Sequence, residues 1–355
     1  MKSILRALSR QMNFSGRLVS RGVVIATAVL ALSACGASTP ASVKPIKVIP
    51  TNVLTGLPGS NGPVLFVKVD DTQVAHPQIG LDSADVIYIE QVEGGLTRLA
   101  AVFSNKLPAY IGPVRSARIS DIDLMANYGR VGLAYSGAQT LFLPVLRASN
   151  IEDIGADTEP ASIFSRDPAR FAPTNMLVDP AALLHKSVNV EKRAIVTAKS
   201  VGWKFGPLPL GGRAIKSAEV KWPAGRYKAV WMAGTHRWKL FYNGFPDVAA
   251  DGIGLGSPTF LIQEVSITPS IYHDHNGSFT PFSNTIGSGA GFLLRDGQEI
   301  PVLWSRASSL EPTTWTLKDG SPAYFHIGQI WVALTDHQPI FTYPISSTPT
   351  PSASK

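Results

Sequence analysis

The sequence predicts an α+β fold in two parts, and three observations carry that prediction. In the first half, short β-branched and aromatic runs mix with helix-start signals, without a strict strand–helix alternation. At 205–212 the Gly/Pro-rich stretch FGPLPLGG marks a break. After it the chain turns almost wholly to strand patterns separated by Asn-Gly and Asp-Gly pairs, which are hairpin signals. In order, VLFVKV (64–69) is an apolar run that predicts a buried strand. DVIYIEQ (85–91) predicts a second, and LTRLAAVF (96–103) a third, antiparallel to it through Gly94-Gly95. Pro113 stands where a helix over 114–127 would begin, with Ile119, Ile122 and Met125 at helical spacing. Residues 130–135 return to strand character. Asp179-Pro180 reads as the N-cap and first position of a short helix to about residue 186. Asp296-Gly297 is the strongest of the later turn signals, and residues 217–341 are expected to form a small antiparallel β domain.

The ends of the chain carry its address. Five cations (Lys2, Arg6, Arg10, Arg17, Arg21) precede an apolar run at 22–32, too short to span a bilayer, which needs about 20 apolar residues. Leu32-Ser33-Ala34-Cys35-Gly36 then resembles a bacterial lipobox. That resemblance implies cleavage after residue 34, a diacylglyceryl group on Cys35 and an acylated N-terminus. Two chains suffice for stable anchoring, since each buried CH₂ contributes roughly 0.8 kcal/mol. The alternative is an uncleaved signal-anchor helix with an incidental Cys. Cleavage would leave 321 of the 355 residues, and the formal charge of +7 would fall to +2. Nucleic-acid binding therefore loses its electrostatic motive. With 45% hydrophobic and 16% charged residues the remainder can build a core. Cys35 is the only Cys, which excludes an intramolecular disulfide, a Cys-based zinc site and a catalytic thiol. The expected organisation is a signal peptide over 1–34, the lipidated Cys and tether over 35–51, an α/β domain over 52–205, and a linker over 206–216. The β domain over 217–341 and a disordered tail over 342–355 follow.

The informative residues are a series of blocks in order. Val69-Asp70-Asp71 is followed by AHPQIGL (75–81), ADVIYIE (84–90), EGGLTR (93–98) and IGPVRSAR (111–118). Later come GSGA (287–290), Asp296-Gly297, Trp304 and GQIWVAL (328–334). The series resembles the YerB-like family of bacterial lipoproteins, whose domain is of unknown function. The resemblance is dense over 64–137. It implies a three-layer α/β sandwich first and a β domain second, and it brings no catalytic residues. Two positions depart from the family pattern. Thr174-Asn175 stands where relatives tend to have His-Asn. Tyr135-Ser136-Gly137-Ala138 stands where they tend to have a His followed by glycines. Any histidine chemistry at those positions is absent from this chain.

Three sets of residues are candidates for chemistry. The first is Asp70, Asp71, Glu90, Glu93, Arg98, Arg115 and Arg118, at or near predicted element ends. Two carboxylates flanking a bond could act as general acid and base, as in glycoside hydrolysis. Arg98, Arg115 and Arg118 with Glu90 could instead bind a ligand; on a helix, Arg115 and Arg118 would share a face and clasp an anion. The bland alternative is internal ion pairing. The second set is His273-Asp274-His275, which could present two imidazoles to a metal on a strand, but Asn276-Gly277 argues for an exposed hairpin tip. The third is the tryptophans at 222, 231, 238, 304, 315 and 331, a sugar-stacking face or, alternatively, core. The motifs of serine hydrolases, penicillin-binding enzymes, zincins and P-loop enzymes are missing, and neither a metal nor a cofactor is expected. The expectation is a lipoprotein on the outer face of the cytoplasmic membrane, a binding or scaffolding module toward cell-wall glycan or another envelope protein. The alternative is a carboxylate-dependent hydrolase of wall polymer using Glu90 or Glu93 with an Asp of the 70–71 pair.

Overall fold

The structure, a computed structural model, describes residues 50–345. The leader, Cys35, all but the end of the tether and most of the tail lie outside the described residues. The strands used below are β1 (Leu65–Asp70), β2 (Val86–Gln91), β3 (Thr97–Phe103), β4 (Val131–Ala134), β5 (Ile151–Asp153), β6 (Ser217–Trp222), β7 (Gly225–Met232) and β8 (Arg237–Tyr242). Then come β9 (Thr259–Glu264), β10 (Ser266–His273), β11 (Phe279–Asn284), β12 (Gly287–Arg295), β13 (Gln298–Arg306), β14 (Thr314–Thr316), β15 (Ile330–Thr335) and β16 (Ile340–Thr342). Three short α-helices accompany them among the described residues: α1 (Ser120–Ala126), α2 (Leu143–Ala148) and α3 (Pro180–Leu184). Strand outweighs helix, 42% to 11%.

The main sheet has eleven strands, ordered β14-β13-β12-β9-β15-β2-β3-β1-β4-β5, with Arg213–Ala214 added beside β13. Strands β9, β12, β13, β14 and β15, all from the stretch expected to form a second β domain, thus share one sheet with β1–β5. The join is the parallel pair β2–β15, running from Val86↔Ile330 to Ile89↔Ala333. β9 pairs with β15 in parallel as well. A smaller sheet, in which β8, β7, β6 and β16 are neighbours in that order and β16 is an edge, covers one face of the main sheet. Its Ala218, Val220, Tyr227 and Leu240 pack against Val67, Ile89, Leu99 and Trp331. On the opposite face Phe66, Tyr88 and Val102 meet Leu124 and Met125 of α1, Phe142 and Leu146 of α2, and Trp203. The central strands are buried on both faces, which is why they read as continuous apolar runs rather than as alternations.

Local signals hold at several points. β2 and β3 pair antiparallel across Gly94-Gly95. Asp179 caps α3 by accepting from the Ala182 N–H at 2.9 Å, with Pro180 in the first turn. At the β12–β13 hairpin Asp296 and Gly297 have φ of 50° and 75°, the two positive values of a type I′ turn. The helix expected over 114–127 begins only at Ser120. Residues 113–115 are spent on β1 instead: the Asp70 N–H donates to the Pro113 carbonyl and the Arg115 N–H to that of Lys68, both at 2.8 Å. Backbone groups committed to a neighbouring strand are not free for helical bonding. Arg115 and Arg118 therefore share no helical face. The tryptophans are mostly core: Trp222, Trp238, Trp304, Trp315 and Trp331 are buried, and Trp231 is half-buried.

Candidate functional site

β1, β2, β4, β9 and β15 run parallel to one another, so their carboxyl ends meet along one edge of the sheet. That edge is where open sheets with parallel strands bring ligand-binding loops together. Asp70 ends β1 with Asp71 just past it, Glu90 lies near the end of β2 with Glu93 just past it, and Thr97-Arg98 begin β3.

Strand alternation divides these residues between two faces. On the face toward α1, Asp70, Arg98 and Glu90 stand in one row across three strands. The Asp70 carboxylate receives Arg98 at 3.2 Å and Arg115 at 2.8 Å. Glu90 is paired with Lys68, whose ammonium also donates to Asp121 at 2.8 Å. All three groups of that pairing are closed to solvent. Burial pushes the Lys68 pKa down, against the pull of Asp121. Glu90 is thus sealed by Lys68.

Asp71 points the other way, toward the smaller sheet. It accepts from Tyr227 Oη at 2.6 Å, from Gln78 Nε2 at 3.1 Å, and from the Thr97 hydroxyl. His76 bridges Asp71, at 3.3 Å from Nε2, and buried Asp247, at 3.1 Å from Nδ1, with its ring stacked on Tyr242. Burial alone would lower the His76 pKa, but the hydrogen bonds and charges of Asp247 and Asp71 outweigh it and push it up to about 9. Two adjacent aspartates on opposite faces cannot act on one bond together.

Glu93 alone of the four candidate carboxylates reaches a cleft. It lies in a tight turn after β2, 9% exposed, with Arg118 Nε 2.8 Å from Oε1 and the Thr280 hydroxyl donating to the same oxygen. The cleft, of about 370 Å³, is walled by Glu93, Ser116 and Arg118 on one side, by Ala138, Gln139 and Thr140 beyond β4, and by His273, Asp274 and His275. The His-Asp-His motif is the tip of the β10–β11 hairpin. Asp274 Oδ1 accepts from the N–H groups of Asn276 and Ser278 at 2.9 Å each, which fixes the turn and spends that oxygen. Among the described residues no group of three or more His, Asp, Glu or Cys is placed to hold a metal. The lining offers hydroxyls, an amide, two imidazoles, the Asp274 carboxylate and the Arg118 guanidinium paired with Glu93, a set suited to hydrogen-bonding a polar ligand.

Two family models match in succession: "Protein of unknown function (DUF3048) N-terminal domain" over residues 54–194 and the C-terminal domain of the same description over 218–332. The chain belongs to the YerB-like family. A Bacillus subtilis (strain 168) protein named "Putative lipoprotein YerB" is 35% identical over 81 residues, a match spanning 23% of this chain and only 24% of that protein. The crystal structure of YerB from Bacillus subtilis superposes with a TM-score of 0.69 at 19% identity, covering 82% of this chain and 99% of that one. That likeness shows the shared fold. The two positions expected to depart from the family pattern fall apart in space. Ala138 lines the Glu93 cleft, whereas Thr174 lines a different one beside His76.

The sequence brought Glu93, Arg118 and His273-Asp274-His275 forward separately, and the fold unites them. Ser116, Gln139, Thr140 and Thr280 were missed, although Ser116 lies inside a family block. Lys68, Asp121, His76, Tyr227 and Asp247 were also missed as partners. A lone Lys within the apolar run VLFVKV was the available sign of a buried cation.

Proposed function

We propose that this chain is an envelope lipoprotein that binds, and does not cleave, a polar ligand of the cell wall or a partner envelope protein at the Glu93–Arg118 cleft. One observation carries the choice of binding over hydrolysis: every candidate carboxylate already has a cationic or hydrogen-bonding partner, and three of the four are sealed from solvent. A general acid needs a carboxyl kept protonated in an accessible site, which an Arg or Lys partner opposes. The lipid anchor is supported by the lipobox-like residues around Cys35 and by the printed name of the Bacillus relative. Among the described residues no helix is long and apolar enough to cross a membrane.

Residues 36–355 incubated with purified cell wall, with released fragments and retained protein both measured, test the reading. Retention without release is expected, weakened by Arg118→Ala. Fragment release that disappears in Glu93→Gln would overturn it in favour of the hydrolase. For the anchor, Cys35→Ala should shift the protein from the membrane fraction to the medium or leave unprocessed precursor. A processed form that stays tightly membrane-bound would refute it.

A further inference from the structure

The smaller sheet has an outer face that the cleft does not use. β6, β7 and β8 turn their apolar residues inward, and the alternate positions face out. Those positions carry Lys221, Arg226, Lys228, Arg237 and Lys239, against the single acid Glu219. Glu219 lies 3.1 Å from Lys221, and among the described residues Arg226, Lys228 and Lys239 form no ion pair with a carboxylate. This one face has a surplus of four positive charges, while the whole chain after residue 34 carries only +2. The basicity is therefore concentrated here, and the rest of the chain is slightly acidic.

Apolar side chains are interleaved with the cations. Val230 stands opposite Lys239, and Phe241 opposite Lys228. Arg226, Lys228, Val230 and Phe241, with Glu219 as the one acid, line a hollow of about 380 Å³. Met232, opposite Arg237, and Ile340, opposite Glu219 at the sheet's edge, are 43% and 53% exposed. Cations alternating with exposed apolar groups suit an interface of phosphate headgroups over acyl chains better than a fully hydrated polyanion. The point of entry of the chain agrees. Thr55 and Leu57, close to where the described residues begin, share a cleft with Thr235, His236 and Arg237 of the β7–β8 turn at one end of the basic face. From Cys35 to Pro50 is 15 residues, a reach of at most about 50 Å.

We propose that the outer face of β6, β7 and β8 docks on an anionic lipid surface, laying the fold against the membrane that holds its own anchor. The location rests on the lipoprotein reading; the binding surface itself does not.

The test uses residues 36–355, which keep all the described residues and lack any lipid. The protein is sedimented with vesicles of phosphatidylcholine alone and of phosphatidylcholine with phosphatidylglycerol, at low and raised salt. Binding is expected only to the phosphatidylglycerol vesicles and should weaken with salt. The variant Arg226→Glu/Lys228→Glu/Lys239→Glu should partition at least about tenfold less. Lys192→Glu/Lys199→Glu, exposed cations outside this face, should partition as the unaltered chain does. If circular dichroism shows the triple variant misfolded, Lys228→Gln/Lys239→Gln replaces it, with a smaller loss expected. No binding to phosphatidylglycerol at low salt, or a folded variant that binds undiminished, would overturn the proposal. Capture by soluble polyphosphate without vesicle binding would also overturn it, in favour of a dissolved polyanion. Because the chain tested carries no lipid, failure here is separate from failure of the Cys35→Ala fractionation.

Discussion

Lys68 shows what a single side chain can hold. Its ammonium is buried between Glu90 and Asp121, with two carboxylates relying on one cation. Removing the cation alone strands both, so Lys68→Met should cost about 3–5 kcal/mol in urea unfolding. Adding Glu90→Leu should restore part of that loss, because an apolar replacement removes one of the charges the mutation stranded. A loss under 1 kcal/mol for Lys68→Met would mean that water reaches the site. His76 makes a pH-dependent contribution. Its folded pKa of about 9 lies above its ordinary 6.5, so the proton binds more tightly in the folded state. The stabilisation is fully present below about pH 6.5 and is lost as pH rises through 9, to a limit of roughly 3 kcal/mol. His76→Gln should flatten that decline between pH 6.5 and 9; an unchanged slope would assign it to other groups. The sequence displayed Glu90 and the arginines, but not who pairs with whom. Row alignment across β1, β3 and β2 decides that, and register is a property of paired strands, not of one run.

Among elements, the Asp296-Gly297 hairpin was fully legible, because a type I′ turn demands φ > 0 at two adjacent residues and few residue types allow it. Gly297→Val should destabilise by at least about 1–2 kcal/mol from backbone strain alone. A Cβ there would also come within 2.7 Å of the Trp231 indole, so a red-shifted tryptophan emission should accompany the lower melting temperature. Gly94→Ala is the control: φ is 67°, but no atom lies within 4 Å of the added Cβ, so only the strain of about 1 kcal/mol should appear. Equal losses at the two sites would show that the Trp231 contact does not matter. The region after Pro113 misled for the opposite reason. Its apolar spacing fits a helix, but the end of β1 takes its backbone hydrogen bonds first, and no local pattern records that competition.

Across the whole molecule, the decisive contact joins residues far apart in sequence. Val86–Ile89 pair with Ile330–Ala333, and in the Gly/Pro-rich stretch at 205–212, read as a boundary, the carbonyls of Gly206 and Pro207 accept from Arg295 of β12 in the same sheet. Local turn chemistry reports where the chain changes direction, and the two family segments part in the same region, but it does not record which strands later become neighbours. A sheet continuous through both family segments should unfold as one cooperative unit, and the tryptophans make this measurable. Six of the seven lie between residues 222 and 331, so most of the fluorescence follows the later segment, whereas hydrogen exchange at Val67, Leu99 and Val102 follows the earlier one. In urea the two probes should give coincident midpoints. A fragment of residues 52–205 alone would expose the edge of β2 along Val86–Ile89 as an unpaired apolar strand, and should aggregate. Separated midpoints, or a soluble and folded fragment, would instead establish two domains that merely share a seam. The reason to expect one transition is energetic: separating the segments breaks the β2–β15 ladder and also exposes Trp331 and Ala333, which pack in the same core cluster as Ile87 and Ile89.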